Sequence, residues 1–239
     1  MDVFIIRHGQ SYNNALADMS ERVADPPLTQ KGVRQADRVA AHLAGGGHLL
    51  ESERGNGKPL LDELHCSAMA RALETARPIG EAMRLKTQVW VDIHEVGGLF
   101  LDHGPGGGGH GADGGGIESF PGKTRSQIEE EFEGFVPNGV DHDGWWRGGR
   151  EAEQTGRGRA IGVAEKLMSR AREDIRLGLV SHGDFICGLL KALGDHLPSR
   201  GLWYDHHNTA VTRLRLSGSG RIVVNYMNRF DHLSDDLLT

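Results

Sequence analysis

Apolar positions come in short blocks along this chain, each closed by a polar turn. Asp2 is followed by Val3-Phe4-Ile5-Ile6 and then by Arg7-His8-Gly9. A β-branched run of that length predicts a strand buried on both faces. Ser11 to Met19 is expected to form a short helix. Thr29 is placed to cap a helix running to about Ala44, with Val33, Ala36, Val39, Ala40 and Leu43 on one face. Leu60 to Cys66 reads as a second strand, with Ser67 as the cap of the helix that follows. Met69, Ala72, Leu73, Ala76, Ile79 and Met83 repeat at helical spacing, and Pro78 inside that pattern predicts a kink or two abutting helices. Gln88 to Ile93 reads as a third strand.

The second half follows the same alternation. Thr124 to Phe132 predicts a short acidic helix, and Asp141 to Gly149 a loop holding Trp145 and Trp146. Glu151 to Glu173 predicts a long helix. Ile175 to Val180 is a buried strand that runs into Ser181-His182-Gly183, followed by a helix over Phe185 to Leu193. Residues 210–216 and 221–227 flank Ser217-Gly218-Ser219-Gly220 as a β-hairpin. The last dozen residues read as a loose tail. Strands alternating with helices predict an α/β protein, a three-layer α/β/α sandwich with a mostly parallel central sheet. One domain over residues 1–239 is expected.

One segment breaks the alternation. From Gly104 to Gly116, nine of thirteen residues are glycine. It cannot bury enough apolar surface to offset its ordering, so a mobile insertion is expected at about 102–117.

Composition narrows the partners. Formal net charge is −6 over 239 residues, and no basic run interrupts it, so nucleic acid is not expected as a partner. No apolar run reaches membrane-spanning length. Cys66 and Cys187 lie in apolar segments without metal-type spacing, which fits a reducing compartment. The amino terminus enters a strand at once, without a basic leader. A cytoplasmic protein is the expectation.

The candidate chemistry lies at the strand ends. Val3–Gly9 and Leu177–Gly183 share one grammar: apolar strand, polar residue, His-Gly, helix. Parallel neighbours would bring His8 and His182 together at one sheet edge, where open α/β sheets bind ligands. Arg71 falls in the first turn of a helix, whose dipole favours anions. Two arginines and two histidines make a phosphate-sized positive pocket in an acidic chain.

These blocks resemble the histidine phosphatase superfamily, also called the phosphoglycerate mutase-like family. The resemblance is carried by Arg7-His8-Gly9-Gln10-Ser11 with Asn14. It continues in Leu28–Ala36, Ser67–Ala76, Val180-Ser181-His182-Gly183 and Asn208-Thr209. It implies that His8 is the nucleophile, and that Arg7, Arg71 and His182 hold the phosphoryl oxygens. Asn14 would add a polar contact, with Ser11 and Gly183 beside it. A glutamate after the third strand would protonate the leaving group, and Glu95 occupies that loop. Asp184 is the weaker rival, a carboxylate at a helix start. The physics agrees: a neighbouring arginine disfavours protonation of a nucleophilic histidine. Arginines also supply the charge that Mg²⁺ supplies in other phosphoryl-transfer sites. Neither metal nor cofactor is expected.

The implied activity is a phosphoric monoester hydrolase of the histidine acid type, acting on a small phosphorylated substrate. A mutase-type isomerase is the alternative, and a non-catalytic phosphoryl-ligand or protein-binding module the second. The wording after Glu95 departs from the mutase pattern, in which a longer spacer precedes the paired glycines. His94, His103, His110, Asp102 and Asp113 read as solvated loop rather than a metal site, as do His206 and His207. Trp145 and Trp146 either line the substrate entrance or pack their loop onto the domain.

Overall fold

The computed structural model describes residues 1–55, 57–104, 116–197 and 201–239. In chain order the elements are β1 (Asp2–Arg7), α1 (Tyr12–Ala15), α2 (Gln30–Ala44), β2 (Glu63–Cys66), α3 (Ala70–Met83) and β3 (Thr87–Val89). Next come β4 (Phe100–Asp102), β5 (Ile117–Ser119), α4 (Arg125–Glu131), β6 (Phe135–Val136), α5 (Glu153–Ser169) and β7 (Arg176–Ser181). The chain closes with α6 (Gly183–Leu193), β8 (Val211–Leu216) and β9 (Ile222–Arg229). Among the described residues, seven strands form one sheet in the order β6-β3-β2-β7-β1-β8-β9. The first five in that order are parallel to one another; β8 pairs antiparallel with β1, and β9 antiparallel with β8.

Strand β1 explains the layering. Val3, Phe4, Ile5 and Ile6 are all fully buried, which requires cover on both faces. Phe4 and Ile6 pack in one core with Val39 and Leu43 of α2 and Leu73 and Ile79 of α3. Val3 and Ile5 point the other way, into a core with Val163 and Leu167 of α5 and Phe185 and Leu189 of α6. The expected three-layer arrangement is therefore present.

Several local expectations give way to packing and hydrogen bonding. The helix after Ser11 lasts only Tyr12–Ala15, because its residues are exposed, and a separate 3₁₀ turn covers Met19–Glu21. Helix α3 runs unbroken through Pro78. A helix-interior proline costs about 3 kcal/mol. Leu73, Ala76 and Ile79 are fully buried on that helix, and burial at about 1.5–3 kcal/mol per large apolar side chain offsets the cost. Ser67 does not cap α3. Met69 holds the cap position, and Ser67 Oγ accepts from Met69 N at 3.2 Å one step earlier. The third strand stops at Val89, and Val91–Ile93 turns as 3₁₀. Helix α5 begins at Glu153, because Glu151 is drawn off to pair with Arg159.

The tail is docked rather than loose. Leu237 is fully buried. Gln35 Nε2 donates to Leu237 O at 2.6 Å, and Asn208 N donates to Thr239 O at 3.2 Å. The glycine-rich insertion is narrower than residues 102–117. Its flanks form an antiparallel ribbon of β4 and β5 with Asp102 opposite Ile117, and His103 N donates to Gly116 O at 2.8 Å. The expected mobility of residues 105–115 falls outside the described residues.

Candidate active site

Register places the site. Arg7 of β1 pairs with Ser181 of β7, and Cys66 of β2 with Val180. Three adjacent parallel strands therefore release Arg7-His8, Ser181-His182-Gly183 and Ser67 at one edge. A cleft of about 320 Å³ opens there, lined by Arg7, His8, Ser11, Asn14, Arg22, Arg71, Glu95, Gly183 and Asp184 among others. Another cavity, about 600 Å³, lies at the far end around Met1, Asp62 and Arg215; Arg172, Arg176 and Arg215 line it, but among its described lining residues there is no histidine, so the chemistry points to the strand-end cleft.

His8 is buried, and its two ring nitrogens have different partners. Nδ1 lies 2.6 Å from Gly9 O, a carbonyl that can only accept. Nε2 receives Arg71 Nε at 3.2 Å. Both contacts fit one tautomer, with the proton on Nδ1 and the lone pair on Nε2. Burial holds the His8 pKa well below its ordinary value, and Arg71 and Arg7 push it further down. The ring is thus neutral, with its Nε2 lone pair directed at Arg71. Its backbone is pinned as well: His8 N donates to Ser181 O at 2.9 Å, and Asn208 Nδ2 donates to His8 O at 2.8 Å.

His182 lies 5.0 Å from His8 between ring centroids. Its Nε2 pairs with Ser67 Oγ at 2.8 Å. Burial first, then Arg71 and His8, keep its pKa well below the ordinary value. Its buried Nδ1 has no partner among the described residues, and neither has Nε of Arg7. Arg7 is braced from behind, where its guanidinium donates to His206 O. Arg71 is buried. Asp25, whose carboxylate accepts from Ala70 N at 3.0 Å, sits near it. Burial lifts the Asp25 pKa to about 6 against the pull of Arg71.

Glu95 is fixed by three backbone donors. Its Oε1 accepts from Phe185 N at 2.9 Å and Val96 N at 3.0 Å, and its Oε2 from Asp184 N at 3.3 Å. Two of those donors belong to the first turn of α6, so the carboxyl rests on a helix amino terminus. Burial and the neighbouring Asp184 raise its pKa, while Arg71 and the backbone donors act against that rise. The loop carrying Glu95 is clamped by Arg159 of α5, which donates to Asp92 O at 2.7 Å and His94 O at 2.8 Å. Arg159 in turn pairs with Glu151 at 2.6 Å, and that pair is nearly buried. Gly98 completes the turn at φ +72°, where a Cβ would meet Trp146 at 2.2 Å.

The remaining expected residues sort clearly. Ser11 and Asn14 form a capping box at α1; Asn14 Oδ1 accepts from Ser11 N at 3.1 Å, leaving its amide nitrogen for the cleft. Gly183 opens α6, and a Cβ there would touch Arg7 Nε at 3.5 Å. Asp184 is exposed at the rim. Ser181 faces away, donating to Ile93 O at 2.8 Å. Trp145 and Trp146 do not line the cleft. They pack on His94 at 5.2 and 5.0 Å between centroids. His103 pairs with Glu118 at 3.0 Å, and His110 and Asp113 fall outside the described residues. His206 is not solvated loop: it is buried and its Nε2 pairs with Thr212 Oγ1 at 2.7 Å.

Arg22 escaped the sequence reading. It lines the cleft, stacks its guanidinium 5.0 Å from the Phe100 ring centroid, and has a buried Nε without a partner among the described residues. Its charge bears on Arg71. Only its basic character was visible beforehand, and arginines are too common for that to single it out.

Comparison with known proteins bears on the family and the fold. The family model described as the histidine phosphatase superfamily (branch 1) matches residues 3–99 and 116–229. A search of curated proteins found no match. Among solved structures, a phosphoserine phosphatase from Entamoeba histolytica in complex with 3-phosphoglyceric acid superposes with a TM-score of 0.59 at 19% identity, covering 98% of this chain and 99% of its own. A mycobacterial glucosyl-3-phosphoglycerate phosphatase with bound VO₃ gives 0.55 at 23% identity, covering 96% and 99%. Bacillus stearothermophilus YhfR gives 0.56 at 19%, covering 97% and 98%. No helix among the described residues is long and apolar enough to cross a membrane.

Proposed function

The chain belongs to the histidine phosphatase superfamily, and we propose that it hydrolyses small phosphate monoesters without a metal, through a phosphohistidine formed on His8. One observation carries the reading. His8 is neutral and holds its Nε2 lone pair beside Arg71, in a cleft where Arg7 Nε and His182 Nδ1 have no partner among the described residues. Buried donors without partners are costly unless a ligand satisfies them, and a phosphoryl group brings the oxygens that would do so.

The steps follow from these positions. On binding, Arg71 exchanges its bond to His8 Nε2 for one to a phosphoryl oxygen, which frees the lone pair. Nε2 attacks phosphorus as the P–O ester bond breaks. Arg7 and Arg71 stabilise the charge on the equatorial oxygens, and His182, with its proton moved to Nδ1, donates a further bond. Glu95, protonated, gives its proton to the departing oxygen. Water then attacks the phosphorus of phosphohistidine, losing its proton to the Glu95 carboxylate. The P–N bond breaks, and inorganic phosphate leaves with His8 neutral again.

The named neighbours support the substrate class, because two of them are phosphatases of phosphorylated small molecules. Rapid quench with ³²P-labelled ester is the direct test. An acid-labile, base-stable phosphoenzyme should accumulate in the wild type and vanish in His8→Ala together with turnover. His8→Ala retaining more than about a hundredth of wild-type kcat would remove His8 from the nucleophile role.

A further inference from the structure

A second cluster of histidines lies away from the cleft. His42 stands in the last turn of α2, and Asp231 and His232 follow β9. One donor atom from each lies within 4.8 Å of the other two, and the two imidazole centroids are 5.1 Å apart. His232 Nε2 pairs with Thr209 Oγ1 at 3.3 Å, while its buried Nδ1 has no partner among the described residues. In the tautomer whose Nε2–H donates to Thr209 Oγ1, Nδ1 carries an in-plane lone pair that meets no donor among the described residues. Metal-bound histidines are commonly oriented in this way, through a hydrogen bond from the second ring nitrogen.

Asp231 adds a carboxylate. Arg229 contacts its two oxygens at 2.8 and 2.7 Å, and each oxygen keeps a second lone pair.

We propose that His42, Asp231 and His232 form a binding site for one divalent transition-metal ion of the zinc class. Two imidazoles and one carboxylate are a borderline-soft donor set suited to zinc, with water as the fourth ligand. Tetrahedral donors about 2.0–2.1 Å from zinc stand roughly 3.3 Å from one another, so the three side chains must close by roughly 1.5 Å. Asp231 is exposed and His42 half-buried, so theirs are the side chains that would move. The ion would staple the end of α2 to the segment after β9. Through Thr209, whose N donates to Arg7 O at 3.0 Å, it would brace the strand end beneath the cleft. The site is separate from the proposed phosphoryl chemistry, which uses neither histidine.

Calorimetric titration of zinc chloride into the full chain, first stripped with chelator, tests the site. One equivalent should bind, and the unfolding midpoint should rise with zinc. His42→Ala and His232→Ala should each weaken binding by tenfold or more and abolish the rise. Asp231→Asn, a milder change near the surface, should weaken it too, with circular dichroism confirming folded protein. Cobalt(II) in place of zinc should show a tetrahedral visible spectrum that His42→Ala removes. His8→Ala should bind zinc as the wild type does. Three results would overturn the proposal: no saturable binding, full binding in both His42→Ala and His232→Ala, or loss confined to His8→Ala, which would move the ion to the cleft histidines.

Discussion

Arg71 Nε donates to His8 Nε2 at 3.2 Å across 63 positions of sequence. The bond has two consequences. It keeps Nε2 unprotonated, and it parks a guanidinium where the phosphoryl oxygens would arrive. In the proposed reaction, positioning the nucleophile and stabilising charge are therefore tasks of one side chain.

Arg71→Lys should be far from conservative, since a lysine offers a point charge without the planar fork. A fall of about 10²–10³ in kcat is expected, as for loss of a charge-stabilising donor. Nitrogen NMR of His8 should show the Nδ1–H form in the wild type and tautomer mixing in the variant. Unchanged kcat and an unchanged tautomer would together show that the bond plays no part.

Glu95→Gln should separate proton donation from binding. The amide can still accept from Val96 N and Phe185 N, but it cannot supply the proton. Alkyl phosphates should lose roughly 10²–10⁴ in kcat, whereas an aryl phosphate with an acidic phenol should lose little. Equal losses on both would shift the acid role, with Asp184 next to be tested.

Arg22→Ala should act on substrate recognition. The guanidinium has a buried unpartnered nitrogen and no carboxylate partner among the described residues. For an ester with a second anionic group, such as 3-phosphoglycerate, KM should rise about tenfold, near 1.4 kcal/mol. A simple aryl phosphate should show little change. Equal KM shifts on both would make Arg22 a general contributor of charge.

Hydrolysis should prevail over isomerisation. The glycines follow Glu95 closely, leaving little loop to seal a phosphohistidine from water. Incubation with 3-phosphoglycerate and a bisphosphoglycerate primer should release phosphate and form little 2-phosphoglycerate. Rapid interconversion of the monophosphates would select the isomerase.

Stability should fall between pH 7 and pH 5. His48 and His94 are buried, and burial brings both to about 4. An unfolded chain takes up their protons near 6.5, so acid favours unfolding by on the order of 2 kcal/mol per histidine at pH 5. Asp25 works in reverse: its pKa is raised to about 6 in the folded state, which returns on the order of 1 kcal/mol over the same range. The histidines prevail. Urea midpoints at the two pH values measure the difference, and a midpoint rising toward pH 5 would show that the carboxyls dominate.

Much of the fold was legible from the sequence because it rests on local patterns. Val3–Ile6 and Leu177–Val180 are apolar at every other position and at those between, and only a strand with both faces covered accommodates that. The repeated His-Gly after both runs placed His8 and His182 at strand ends. Their meeting needed only the rule that parallel strands end together, and the observed register of Arg7 with Ser181 satisfies it.

Tertiary structure decided what depends on partners distant in sequence. Pro78 stays helical because buried neighbours outweigh a lost hydrogen bond, and the carboxyl-terminal residues dock because Gln35 and Asn208 wait for them. Ser67 reaches His182 as well as the backbone at the start of its own helix. Arg22 acquires meaning only from the cleft it faces, and His42 only from the histidine brought beside it from the end of β9. Periodicity and local propensity are written along the chain, whereas the partner of a polar atom is settled by distances that exist only after folding.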